Sequence, residues 1–116
     1  MSDGPVTAPS PDGVRVRRAR EADLPALVGL HAQLHPELPP CDGDTAGRVW
    51  AALTATPGRV VLVAEVAGAV VGTADLAVMA NLGHVGEPYP LVENVVVDAA
   101  HRRSGVGRVL LGGRPR

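Results

Sequence analysis

The fold is decided by the stretch 91-LVENVVVDAAHRRSGVGRVLL-111, in which a strand, a glycine-rich turn and the start of a helix follow one another directly. Residues 91–97 form a run rich in β-branched side chains, which is typical of a buried strand. A polar turn with Gly105 and Gly107 comes next, and the apolar spacing that begins at Val106 indicates a helix. Strand, glycine-rich turn and helix together form an arrangement that can hold a phosphate group.

Several physical features make the segment 102–108 a candidate diphosphate site. The first amides of a helix have no intrahelical partner and point outward, and the helix dipole adds partial positive charge there. The two glycines let a diphosphate approach the backbone closely, and Arg102, Arg103 and Arg108 add positive charge. The alternative is an arginine-rich turn that leads into a surface helix, but the flanking strand and helix favour the binding site.

The motif Arg102-x-x-Gly105-x-Gly107, directly after a strand that carries Glu93, resembles the coenzyme A loop of the GCN5-related N-acetyltransferase (GNAT) family. In that family the pattern is Arg or Gln, two residues, Gly, one residue, then Gly or Ala. Upstream, 14–30 resembles the family's first strand and helix, and 60–78 its second and third strands. The resemblance implies an N-acetyltransferase that moves an acetyl group from acetyl-CoA, its cosubstrate, to the primary amine of a small molecule or peptide.

The resemblance also implies roles for residues of the strand and the loop. Main-chain groups of the strand would hold the pantetheine arm of the coenzyme, although the side chains there indicate only a core strand. Backbone amides of the loop and of the first helical turn would hold the pyrophosphate. The coenzyme-binding residues implied in this way are Val95, Val96, Val97, Arg102, Arg103, Ser104, Gly105, Val106, Gly107 and Arg108.

Glu93 is the candidate catalytic base. A carboxylate within an apolar strand is unfavourable unless it is paired or near water, and desolvation gives a carboxyl group the basicity that suits proton abstraction near neutral pH. The alternative, which stays equally open, is a strand end facing solvent or a structural ion pair with an arginine. By regular alternation, Asn94 points to the opposite face, where it binds substrate or fills a polar edge.

Composition excludes several classes of function. With 116 residues, 46% of them hydrophobic, the chain fits one domain with an ample core. A net charge of −1 provides no strong field for nucleic acid or an anionic membrane, and no apolar run is long enough to span a bilayer. The single cysteine, Cys41, excludes an internal disulfide framework, and together with the lack of a signal peptide it favours the cytoplasm.

The histidines do not predict a metal site. His31 and His35 are four residues apart, which is ligand spacing on a helix. No third or fourth ligand lies near them in the sequence, so we expect a surface pair and no bound metal.

The remaining segments predict an α/β (α+β) fold, with a mixed, mostly antiparallel sheet and flanking helices in the order β-α-α-β-β-β-α. Residues 1–13 are rich in Pro, Ser, Gly and Asp and predict a disordered tail. Asp44 is an expected cap of the second helix, and Ala67-Gly68 is the expected turn of a hairpin. Gly72 marks either a bulge or a close backbone approach.

The chain ends soon after the loop, whereas the family continues with further strands and helix. We therefore expect 14–116 to be the N-terminal part of a GNAT domain, with an exposed apolar edge at 91–97 and impaired activity. The alternative is a non-catalytic module that binds CoA or is completed by a partner's strand, and a homodimer also stays open. A nucleotide-binding P-loop is disfavoured, because the sequence lacks the Gly-Lys-Ser/Thr signature and any lysine.

Overall fold

The computed structural model describes residues 13–112. The predicted disordered tail therefore lies outside the described residues, apart from Gly13. Within 13–112 the chain forms an antiparallel sheet with helices packed against both of its faces. The predicted fold class is confirmed. None of the helices in this part of the chain is long and apolar enough to cross a membrane.

Four strands make up the sheet, in the spatial order β1-β2-β3-β4, and every neighbouring pair is antiparallel. Their bounds are Val14–Arg18 (β1), Arg59–Val66 (β2), Ala69–Met79 (β3) and Tyr89–Val97 (β4). The β2–β3 hairpin turns at Ala67 and Gly68, as the sequence predicts. Their φ angles of 52° and 83° are the two positive values that a tight hairpin turn of this hand requires.

In the described part of the chain, four helical segments lie between these strands and two follow β4. They are Glu21–Asp23 (a 3-10 turn), Leu24–Leu34 (α1), Gly43–Thr54 (α2), Gly83–Gly86 (α3), Ala99–His101 (a 3-10 turn) and Val106–Leu110 (α4). The cap of α2 differs from the expectation: the Asp42 carboxylate, not Asp44, accepts the Thr45 amide at 2.7 Å. The helix begins two residues earlier than a cap at Asp44 would require, which places Asp44 in its first turn.

One face of the sheet is covered by α4. Val106 and Leu110 of this helix are nearly inaccessible and pack into a cluster with apolar side chains of β1, β2 and β3. Gly72 makes this possible, since a Cβ there would stand 3.0 Å from side-chain carbons of both α4 residues. Both features considered for Gly72 are found: the β2–β3 register shifts beside it, at Val71, and α4 approaches it closely.

The opposite face is covered by α1 and α2 and contains buried charge. Arg17 of β1 donates to both carboxylate oxygens of Asp23, at 2.8 and 2.9 Å, and to Glu65 of β2 at 2.6 Å. The Arg17 pairing holds the pKa of Asp23 below its usual value, with the Arg20 amide adding to the effect. This cluster joins the entry into α1 to the first two strands.

Candidate functional site

The end of β4 and the start of α4 form a tight, irregular turn. Asp98 follows the strand and caps the 3-10 turn by accepting the Ala100 amide at 3.1 Å. Arg103 and Gly105 then adopt positive φ angles of 67° and 91°, and α4 begins at the next residue. Glycine adopts this left-handed conformation without a steric penalty, which explains its place at the helix start. The predicted succession of strand, turn and helix is therefore present.

An open cleft of about 390 Å³ lies in this turn. It brings together most of the loop residues to which the resemblance gives a coenzyme role. The residues that line it are Val97, Arg102, Arg103, Gly105, Gly107 and Arg108. Three guanidinium groups and two glycines around one cleft create a positively charged concavity in which an anion can approach the protein backbone closely.

Two residues of the predicted coenzyme loop point elsewhere. The Val106 side chain is buried against the sheet, so only its backbone is available to a ligand. The Ser104 hydroxyl donates to the carbonyl of His101 within the turn. Their side chains thus shape the loop.

The turn is fastened to α1 by an interaction that sequence reasoning missed. Gln33 donates to the Asp98 carboxylate at 2.8 Å and accepts the Ala99 amide at 3.0 Å. The Gln33 hydrogen bond is the main reason why the pKa of Asp98 lies below its usual value. No local sequence pattern predicts this contact, because Gln33 and Asp98 are 65 positions apart in the chain. A second hydrogen bond holds the turn to the end of β4, since Arg102 Nε donates to the Val97 carbonyl at 3.1 Å.

A β-bulge interrupts β4 at Asn94 and Val95, where the predicted pantetheine segment begins. The register passes from Thr73 opposite Val96 to Asp75 opposite Glu93, so that two residues of β4 stand against one of β3. Asn94 takes a positive φ of 53° there. Its side-chain amide donates to Asp75 at 3.0 Å, a contact that regular alternation does not predict.

β4 is an edge strand of the sheet formed by residues 13–112. Peptide groups of 95–97 that do not face β3 therefore lie on an open side, where another extended chain can pair with them. Val96 is buried, while Val95 is 38% exposed. Glu93 is also exposed, so burial does not supply the desolvation that the sequence led us to expect for it.

His31 in α1 and His35 directly after it occupy different surroundings, contrary to the expected surface pair. His35 is exposed and lies 3.5 Å from a carboxylate oxygen of Glu37. His31 turns inward, and its Nε2 is buried without a hydrogen-bond partner. Within 13–112 no group of three or more His, Cys, Asp or Glu side chains is arranged to hold a metal ion.

With the strand, cleft and loop in place, comparison with known proteins is decisive. The model of the acetyltransferase (GNAT) family matches residues 26–112, well over half of the chain. The chain belongs to the GNAT acetyltransferase family. The resemblance seen in the sequence is thereby confirmed, and acetyl transfer is the general activity of the family. Curated protein sequences give no match to this chain.

Solved structures agree with the family. A protein of Agrobacterium tumefaciens str. C58 named as an acetyltransferase is 40% identical, with a TM-score of 0.79 over 83% of this chain and 67% of its own. An acetyltransferase of Trypanosoma brucei is 27% identical, with a TM-score of 0.72 over 86% and 70% of the two chains.

A third similar structure is that of AAC(6')-Iy in complex with the bisubstrate analog CoA-S-monomethyl-acetylneamine. It is 20% identical, with a TM-score of 0.68 over 86% of this chain and 67% of its own. At that identity the likeness concerns the fold alone.

Proposed function

We propose that this chain binds acetyl-CoA in the cleft between β4 and α4 and transfers the acetyl group to a primary amine. The observation that carries the proposal is the cleft, which combines Gly105, Gly107 and three arginines at the end of an open-edged strand. In a GNAT protein such a cleft suits the pyrophosphate of the coenzyme, because positive charge and close backbone approach coincide there.

The residues present fit this ligand. The positive φ of Gly105 favours glycine, and the position lines the cleft. Burial of Val106 and Leu110 against the sheet anchors α4, so its first amides are held in place before a ligand arrives. The Gln33–Asp98 contact fixes the same turn from the side of α1.

The chain's own groups have distinct tasks in the reaction. Bound acetyl-CoA supplies the acyl thioester that the amine attacks. The open-edge peptide groups of 95–97 pair with the pantetheine arm as an added strand would, which orients it along β4. Arg102, Arg103 and Arg108 neutralise phosphate charge in the cleft. Glu93, exposed and therefore near water, accepts the amine's proton directly or through a water molecule.

A second function is supported by the outer side of β4. Leu91, Val92 and Val95 are each about 40% exposed, and β3 is the one strand that pairs with β4 within 13–112. An open apolar edge of this kind is suited to accept a partner's strand. This favours a non-catalytic CoA-binding or partner-completed module as the alternative. Cytoplasmic location and a homodimer stay predictions.

The coenzyme site is tested by calorimetry of acetyl-CoA binding to the 116-residue chain. Gly105→Asp places a negative charge in the cleft, and we expect affinity to fall about tenfold or more, because like-charge contact costs several kcal/mol. Gly68→Asp is the matched control, since Gly68 also has a positive φ but lies in the β2–β3 turn with open space around it. Equal affinity in the two variants contradicts the assignment.

Release of free thiol from acetyl-CoA in the presence of an amine panel separates the two functions. Amine-dependent turnover that Glu93→Gln lowers, with coenzyme affinity unchanged, supports the transferase and the role of Glu93. Coenzyme binding without turnover for any amine supports the non-catalytic module. Turnover that is unaffected by Glu93→Gln leaves the transferase standing and assigns Glu93 a structural role.

A further inference from the structure

A second cavity, of about 110 Å³, lies on the other face of the sheet, between α1, α2 and the strands. Most of its wall is apolar and includes Leu27, Trp50, Leu53 and Val61. Two polar side chains also line it, His31 from α1 and Asp75 from β3. The coenzyme cleft and this cavity share no lining residue.

Asp75 is buried but incompletely satisfied. The residue is only 7% exposed. One carboxyl oxygen accepts the Asn94 amide at 3.0 Å, and the other, Oδ1, is buried without a hydrogen-bond partner. A buried polar atom left unpaired is unfavourable by a few kcal/mol, so native proteins rarely keep one without a reason.

His31, which also lines this cavity, carries a second unmatched atom. Its Nε2 is buried and has no hydrogen-bond partner. Two unpaired polar atoms in a mostly apolar cavity call for a ligand with more than one polar hydrogen and a hydrocarbon body. A primary ammonium on a compact alkyl or arylalkyl group has three N–H donors, a charge opposite to that of a carboxylate, and such a body.

We propose that this cavity binds the acceptor, and that the acceptor is a compact hydrophobic primary amine whose ammonium is recognised by Asp75 and His31. The inference rests on the proposed acetyl transfer and names its substrate class. An ammonium N–H donates to the free Asp75 oxygen, and a second N–H donates to His31 Nε2. The walls formed by Leu27, Trp50 and Leu53 bury the hydrocarbon.

The position of Asp75 connects this cavity to the strand on which the coenzyme arm is proposed to lie. Asn94 holds the Asp75 carboxyl from the bulge of β4. An amine bound at Asp75 is thus one side chain away from the distorted part of β4. An anionic or strongly polar acceptor does not suit the site, because it would meet a carboxyl group and apolar walls.

An intrinsic fluorophore of the chain can report whether this cavity is occupied. Trp50 is the single tryptophan of the sequence and lines the cavity. Its fluorescence is to be followed in the 116-residue protein, without coenzyme, during titration with n-butylammonium chloride and, separately, with n-butanol. We expect saturable binding of the ammonium, and binding of the alcohol that is weaker by about tenfold or more, because only the ammonium makes a charged hydrogen bond.

Asp75→Asn tests the recognising group. The Asn94 contact needs an acceptor, so the new side chain can keep its oxygen there and turn an NH₂ group toward the cavity. We expect this to weaken butylammonium binding by about tenfold or more, with little effect on butanol. Asp44→Asn is the matched control, because Asp44 is exposed in the first turn of α2 and does not line the cavity.

Each result has a defined meaning. Absence of a saturable signal, equal affinity for amine and alcohol, or unchanged binding in Asp75→Asn each overturns the inference. The comparison of amine with alcohol uses the parent protein alone, so it decides the question even if the variant does not fold. Acetyl-CoA affinity is measured independently, so coenzyme binding without amine binding rejects the acceptor site alone. Amine binding without coenzyme binding rejects the transferase.

Discussion

The two faces of the sheet are built in different ways. On the α4 face, Val106 and Leu110 pack over Gly72, and the fit depends on apolar shape alone. On the face of α1 and α2, buried Arg17 joins Asp23 and Glu65, and a cavity with two unmatched polar atoms lies nearby. Close packing makes the first face a rigid support for a backbone site, whereas the second face keeps space and polarity for a ligand.

The largest expected effect is that of removing the buried cation. Arg17→Met leaves Asp23 and Glu65 without their shared partner, and we expect the free energy of unfolding to fall by about 3–5 kcal/mol. Urea denaturation measures this change. Arg15→Met is the control, because Arg15 is exposed on the same strand, and a change of under about 0.5 kcal/mol is expected there. A similarly small loss for Arg17→Met would mean that the buried ion cluster does not stabilise this face.

The packed face should respond to a single added carbon. Gly72→Ala brings a Cβ within 3.0 Å of Val106 and Leu110 and 3.3 Å of the Val96 carbonyl oxygen. We expect about 1–3 kcal/mol of destabilisation from overpacking. We also expect a lower affinity for acetyl-CoA in this variant, because the added methyl group pushes α4 outward.

Gly47→Ala provides the matched comparison for this change. Gly47 lies inside α2 with open space around the position of a Cβ, so alanine should stabilise the helix there by up to about 1 kcal/mol. Denaturation and calorimetry on both variants test the pair. If the Gly72 variant is as stable as the parent, the close packing of α4 is not what limits that position.

The part of the molecule that sequence reasoning could predict is the part built from neighbouring residues. The run at 91–97, the turn with Gly105 and the hairpin at Ala67 each depend on local chemistry, and each is present in the structure. The cleft at the end of β4 is also local, since most of the residues that line it lie within seven positions of one another. That it binds the coenzyme stays a prediction.

What could not be predicted depends on contacts between distant segments. His31 and Asp75 are 44 positions apart, and only the packing of α1 on the sheet brings both to one cavity. The bulge in β4 is a second example, because alternation of a regular strand places Asn94 away from Asp75. The cap at Asp42 was missed for a smaller reason: Asp42 and Asp44 both have capping side chains, and the start of α2 decides between them.

The smallest expected effect concerns acid, which acts on one partner of the ion cluster. The pKa of Asp23 is held below its ordinary value of 3.8 by Arg17, so its ionised form stabilises the fold above that pH. As the pH falls through 3.8 toward the lower folded value, the unfolded state binds the proton first, and this stabilisation is lost. The effect should be smaller than that of Arg17→Met, because Glu65 still pairs with Arg17. Asp42 and Asp98 also have lowered pKa values, so the total acid response includes them.

The informative quantity is therefore the difference in unfolding free energy between the parent and Asp23→Asn, measured from pH 7 down to pH 3. We expect that difference to shrink below about pH 4. A constant difference across the range would show that the charge of Asp23 does not stabilise the α1 face, and would leave shape as the common basis of both faces.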